Sequence, residues 1–265
     1  MSWELLAGFA FGLAIAVVTT PVGVSGAVFL LPAQLSVLHI PSPAVTPTNL
    51  LYNVVAVPGA LARYRRSEPL RSELARRLLA GTLPGVIIGA LLRVYLLPGG
   101  TVFRVLVAVF LAPLGVSLLR RDRAARPDLR TGQPAVLRLH GSAVTAVAFG
   151  AGVIGGLYGI GGGSLLAPIL VAAGYLVAEV SPAALLSTFL TSCVGAATYA
   201  VLELTGRQDA APNWPVGLAC GLGGLVGGYV GASLAPHLPQ LALRRLLGAA
   251  ALSLSVAYLL IALTN

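Results

Sequence analysis

An all-α integral membrane protein is the fold class this sequence predicts: a polytopic helical bundle of two homologous halves, with helices broken at Gly/Pro motifs. Three observations carry the prediction. Of 265 residues, 57% are hydrophobic and only 9% charged, with a mean hydropathy of +0.91, whereas a soluble domain is nearer a quarter charged. The apolar residues fall into long runs, few with a charge in the middle. A glycine-rich motif from Gly159 to Pro168 has a blurred copy from Gly23 to Pro32, with nine residues from the first Gly to the Pro in each.

The runs lie at 3–19, 22–38, 43–62, 78–97, 101–119, 140–157, 163–177, 182–203, 214–235 and 241–262. They are apolar on every face, which suits helices and not the alternating strands of a membrane barrel. Trp3, Tyr95, Trp214 and Tyr258 sit near run ends, where amphipathic rings favour the membrane interface. The N-terminus lacks the basic region of a cleaved signal peptide, so the first run reads as the first membrane helix.

All 17 basic residues are Arg, and they set the net charge of +9. Most cluster in two loops, 63–77 and 120–138, the second punctuated by Pro127, Gly132 and Pro134. Basic loops between membrane segments orient a protein and meet anionic headgroups, which places both in the cytoplasm of a multi-pass protein of the cell (inner or plasma) membrane. Nucleic-acid binding is not indicated, because no basic and aromatic platform accompanies the charge. The loops also suggest the boundaries: a first membrane repeat over 1–119, a linker over 120–138 and a second repeat over 139–265.

The repeat extends past the glycines. Ser42-Pro43-Ala44 answers Ser181-Pro182-Ala183, and Thr48-Asn49 answers Ser187-Thr188. One helical turn beyond Asn49 and Thr188 come Asn53 and Ser192, on the same helix face. Gly85 and Gly89 match Gly224 and Gly228, and Leu97-Pro98 matches Leu238-Pro239. Residues 3–38 as one helix would run about 54 Å at about 1.5 Å per residue, too long for one span, so Pro21 and the Gly23–Gly26 stretch must break it. If both pieces cross the bilayer, the repeats are inverted; if the second dips in and returns, they are parallel. The near-neutral stretch Gly206–Asn213 faces the basic loop 63–77 in the repeat, which favours inversion. Arg93 and Arg104 against His237, Arg244 and Arg245 do not discriminate.

Function is sought where polar groups enter the apolar runs. The Gly159-Ile-Gly161-Gly162-Gly163-Ser164 stretch lacks the Lys and the Gly-Lys-Ser/Thr ending of a nucleotide loop, and no strand precedes it. Close helix packing is one reading of its glycines. The other is a helix break at mid-membrane, whose free amides and dipole attract an anion without a buried cation. Ser25, Gly26, Gly161, Gly162, Gly163 and Ser164 are the candidates there. Thr48, Asn49, Asn53, Ser187, Thr188 and Ser192, with Thr191 beside them, are the candidate neutral donors. Ser and Thr in membrane helices often bond only the preceding turn, but two amides on one face call for a polar cavity or an interhelical partner.

Other chemistry is sparse. Glu179 and Glu203 lie close to run ends and do not form a proton relay of the kind pumps carry. Arg93 is expected to snorkel to the interface. His39, His140 and His237 form no metal set, and Cys193 and Cys220 read as small core residues. Neither a hydrolase motif nor a metal motif appears, so no enzyme activity, metal or cofactor is indicated. An acid-free site of amides and hydroxyls suits a small oxyanion.

The pattern Gly159-x-Gly161-Gly162-Gly163-x-Leu165-x-x-Pro168, followed by Pro182-Ala183 and Ser187-Thr188, resembles the TauE/SafE family of sulfite and organosulfonate exporters over essentially the whole chain. Half one departs from it, with Ser25 and Ala27 where half two has glycine. The resemblance implies transport of sulfur-containing anions such as sulfite, an organosulfonate or thiosulfate, with a proton or cation as coupling ion. The expectation is therefore a secondary transporter working by alternating access between its halves. A channel without alternating access is the alternative, and a membrane-assembly subunit a third reading.

Overall fold

The computed structural model describes residues 3–66, 70, 72–96, 140–205 and 211–264, together with 105, 108, 109, 112, 115, 116 and 119. The linker 120–138, most of the run 101–119 and the turn at 97–100 lie outside the described residues. The helices are α1 (Trp3–Thr19), α2 (Ala27–Ser36), α3 (Ser42–Tyr64), α4 (Glu73–Tyr95), α5 (Gly141–Tyr158), α6 (Gly162–Ala172), α7 (Val177–Leu204), α8 (Trp214–Leu234) and α9 (Gln240–Thr264). Short 3₁₀ turns at Thr20–Val22 and Ala235–His237 extend α1 and α8. Among the described residues there is no strand.

Starts and stops follow local chemistry. Ser72 caps α4 by accepting the Ala75 amide at 3.1 Å, and Asn213 caps α8 by accepting that of Val216 at 3.2 Å, each meeting an orphan donor of the first turn. α4 begins five residues before its apolar run, at Glu73, which pairs with Arg77 at 3.0 Å. α1 and α5 end at Gly23 (φ 76°) and Gly159 (φ 70°), the left-handed helix stop that glycine adopts without strain.

Length then sorts the helices. Among the described residues, five are long and apolar enough to cross a membrane: α1 with its 3₁₀ turn, α4, α5, α7, and α8 with its turn. At 10 and 11 residues, α2 and α6 are about 15–17 Å long, half a bilayer core. α3 has 23 residues but carries Pro47, Pro58 and a polar face. It is the interior helix of half one, as α7 is of half two. Leu30 and Leu31 of α2 and Leu166 and Leu170 of α6 belong to one apolar core cluster, all at most 1% exposed. Large apolar side chains such as Ile87, Leu91, Leu222 and Val226 cover the outside, the reverse of a soluble surface and the arrangement lipid requires.

Helices of one half pack on those of the other: α1 on α8, α4 on α5, α3 on α8, and α4 on α7. Glycine lets the backbones touch. A Cβ on Gly85 would strike the Phe149 carbonyl and one on Gly89 that of Val153, as a Cβ on Gly223 would strike Phe9 and one on Gly227 Leu13. By contact, then, Gly85 and Gly89 are matched by Gly223 and Gly227, one residue before the pairing the sequence suggested. α8 has two adjacent glycine stripes, and the second, Gly224 and Gly228, lies against Tyr52, Ala56 and Ala60 of α3. Sequence periodicity cannot separate two stripes one residue apart. The same matching pairs Phe9 with Phe149, so half one reaches its glycine stop about one helical turn later, the turn being Thr20–Val22.

Candidate functional site

The two glycine stops bring the heads of α2 and α6 together at the centre of the bundle. Gly159 packs so closely on α3 that a Cβ would fall on the Thr46 carbonyl, and Gly161 (φ 71°) takes a second left-handed turn before α6 starts. Ser25, its counterpart, does not have a positive φ. The heads of the half-helices therefore differ: Gly161 turns the chain with its backbone, whereas Ser25 contributes a side chain.

Hydrogen bonds link the two turns. The Ser25 amide donates to Ser164 Oγ at 3.3 Å. The Ser164 hydroxyl donates to the Ile160 carbonyl at 2.9 Å, so with its one proton used it accepts from Thr188 Oγ1 at 3.3 Å. The Ser25 hydroxyl donates to Asn53 Oδ1 and accepts from the Ala27 amide at 3.2 Å. Asn53 Nδ2 completes the chain by donating to the Gly159 carbonyl at 3.4 Å. Asn53 is thus bonded to both glycine motifs at once.

The last carbonyls of α5 have no partners within their own helix, and other helices supply them. Tyr199 donates to Gly156 at 3.1 Å, Thr46 to Leu157 at 3.4 Å and Asn53 to Gly159. At the head of α6 the Gly162 amide donates to Thr191 Oγ1 at 3.3 Å, and Thr191 in turn donates to the Ser187 carbonyl at 2.6 Å. The break is held open by side chains of α3 and α7.

The predicted residues are not all used alike. Ser25, Asn53, Ser164 and Thr188 form the connected chain. Asn49 donates through Nδ2 to the Ala27 carbonyl at 3.1 Å, which orients Oδ1 as a buried acceptor without a partner among the described residues. Ser192 Oγ is likewise buried and unpartnered there, and a Cβ on Gly161 would lie 3.0 Å from it. The matched pairs explain this: Ser25 gives Asn53 a hydroxyl, whereas Gly161 has none for Ser192. Gly26, Gly162 and Gly163 are close-packed, their Cβ positions falling on the Tyr52 hydroxyl, Thr82 Cγ2 and the Ala184 carbonyl. Ser187 faces α4, its Oγ 2.9 Å from that of Thr82. Thr48 is not joined to the cluster; it donates to Ala44 at 2.7 Å and accepts the Asn213 amide at 2.8 Å, tying α3 to the start of α8.

Sequence reading missed Thr46, Tyr52, Thr82 and Tyr199. Each is a single polar or aromatic group in an apolar run, and only its partner on another helix marks it. Arg93 departs from expectation: it is 4% exposed, with the phenols of Tyr158 and Tyr199 as its electrostatic neighbours, because α5 and α7 cover the last turn of α4. Glu179 and Glu203 lie half-buried near the two ends of α7, away from the chain of hydroxyls and amides. Among the described residues no three His, Cys, Asp or Glu gather as a metal site.

A multi-pass helical bundle whose broken helices meet at a buried, neutral, polar centre is the architecture of a membrane transporter. Residues 8–258 match the family model described as "Sulfite exporter TauE/SafE", and the chain belongs to that family of membrane transporters. It is 26% identical over 242 residues to "Probable membrane transporter protein YunE" of Bacillus subtilis (strain 168), covering 84% of this chain and 85% of that protein. No solved structure matches the chain.

Proposed function

We propose that this chain is a secondary transporter of small sulfur-containing anions, such as sulfite, an organosulfonate or thiosulfate, working by alternating access between residues 1–119 and 139–265. The observation that carries the proposal is the direct bond from the Ser25 amide to Ser164 Oγ, which joins the heads of two half-helices in an acid-free centre. Half-helix N-termini and neutral donors attract an oxyanion through partial charges, so binding need not be too tight for release.

All twelve candidate residues are buried, so an anion reaches them only when the halves part. Parting on one side and then the other breaks the Ser25–Ser164 link and offers its amide and hydroxyls to the substrate. The exchanged packing of α1 on α8 and α4 on α5 supports two related units moving about this centre. The charge difference between 63–77 and 206–213 favours inverted units, with the basic loops 63–77 and 120–138 in the cytoplasm. A proton or cation gradient would drive the cycle.

The test is flux of sulfite or a sulfonate into vesicles reconstituted with Gly162→Leu or Asn49→Leu. Both variants should insert and transport nothing; unchanged flux would sink the site. Saturable counterflow distinguishes this carrier from a channel.

A further inference from the structure

Beside the Ser25–Gly26 turn lies a narrow cavity of ≈ 10 Å³ between α1, α3 and α8, room for about one water. Its walls are small: Ala16, Ala56, Ala60, Gly224 and Gly228. It runs along α3 from Tyr52 towards Ala60, and α3 ends four residues later at Tyr64, where the basic loop begins. Val57 and Leu185, also on its wall, belong with Tyr64 and Ala232 to a separate apolar cluster. That cluster closes the cavity on the side of the basic loop.

Tyr52 distinguishes this cavity from a packing defect. It is 1% exposed, and a Cβ on Gly26 would strike its hydroxyl. That hydroxyl makes no hydrogen bond to another described residue, although a buried phenol ordinarily finds a partner. Its repeat counterpart, Thr191, is satisfied at both ends, by the Gly162 amide and the Ser187 carbonyl. At the head of α2 the phenol of Tyr52 is therefore a spare donor, as the unpartnered Ser192 hydroxyl is beside Gly161 at the head of α6. A phenol is protonated at neutral pH and donates to any anionic oxygen.

We propose that the anion passes between the centre and the basic-loop side through this cavity, and that the Tyr52 hydroxyl hydrogen-bonds an anion oxygen at the Ser25–Gly26 turn. The inference rests on the anion-transport reading above. Its gate is the Val57, Tyr64 and Leu185 cluster, and its bore is set by small residues on α3 and α8. Gly228 is suited to test it, because a Cβ there meets only ordinary contacts, 3.4 Å from the Ala60 amide and 3.6 Å from Ala60 Cβ.

The experiment combines two variants in vesicles. Gly228→Cys should react with a charged methanethiosulfonate at least tenfold faster from the side that labels Arg65→Cys than from the other. Methanesulfonate, a sulfur oxyanion that does not attack the reagent, should slow that reaction, and labelling should stop its flux relative to the unlabelled variant. Tyr52→Phe should raise KM for sulfite about tenfold or more, the loss of one hydrogen bond to a charged group. If Gly228→Cys does not insert, Ala60→Cys on the facing wall replaces it. Labelling no faster than that of unsubstituted protein, which holds Cys193 and Cys220, overturns the path. Unchanged KM in Tyr52→Phe overturns the role of the hydroxyl. One-sided labelling in a protein that carries no sulfur anion would retain the path and overturn the transport reading; flux with Gly228→Cys unlabelled would do the reverse.

Discussion

The Ser25 amide at the head of α2 donates to Ser164 Oγ at the head of α6 at 3.3 Å. These residues lie 139 positions apart, one in each glycine motif, and their bond makes the centre of the bundle a contact between two half-helix N-termini. N-termini repel through their dipoles. The hydroxyl of Ser164, accepting from the Ser25 amide and donating away to Ile160, offsets that repulsion.

Gly161 should resist replacement for two reasons at once. Its φ of 71° disfavours any L side chain, and a Cβ would lie 2.7 Å from Thr188 Cγ2. Gly161→Ala should lose roughly 2–4 kcal/mol, from left-handed strain and overpacking together. Gly150→Ala is the control, since its Cβ meets nothing within 4 Å. Unfolding in detergent compares the two, and equal stability would refute the account of the turn.

Asn53 bonds to both motifs, so its amide should resist replacement. Asn53→Ala removes partners from Ser25 and Gly159 and should cost roughly 1–3 kcal/mol. Asn53→Asp retains the acceptor for Ser25 but, ionised, has no proton for the Gly159 carbonyl and repels an anion. Its flux should be low at neutral pH and rise as pH falls, because protonation restores a donor and removes the charge. A pH profile parallel to that of the unsubstituted protein would contradict this.

Tyr199 is a strut of the α5 break and not a ligand. Tyr199→Phe deletes the 3.1 Å bond to Gly156 and should cost about 1 kcal/mol. For a chain of this size that is a fall in Tm of about 2–4 °C. KM for the anion should stay within about twofold, a shift too small for a lost ligand bond.

The orientation of the halves can be read by labelling. Arg65→Cys lies in the basic loop and Arg207→Cys in its near-neutral counterpart. Inverted halves place them on opposite sides of the membrane, so an impermeant thiol reagent should label one in sealed vesicles and the other only after permeabilisation. Labelling of both together would establish parallel halves.

Much of this architecture follows from sequence because its causes are local. Hydropathy marks where a helix can be buried in lipid, and glycine and proline mark where one must stop. The nine apolar runs that fall on described helices accordingly predict their ends to within five residues. The polar faces of α3 and α7 were legible because a buried amide has few innocent explanations. What neighbours what was not legible. Asn53 of half one caps Gly159 of half two, Thr48 turns away to Asn213, Arg93 is enclosed by α5 and α7, and Tyr52 stands at Gly26. Gly223 and Gly227, and not the adjacent pair, meet α1. The sequence by itself determined a membrane bundle with two broken helices and a neutral polar centre. Tertiary structure alone decided which donors meet which carbonyls there, because that depends on the close approach of backbones from opposite halves.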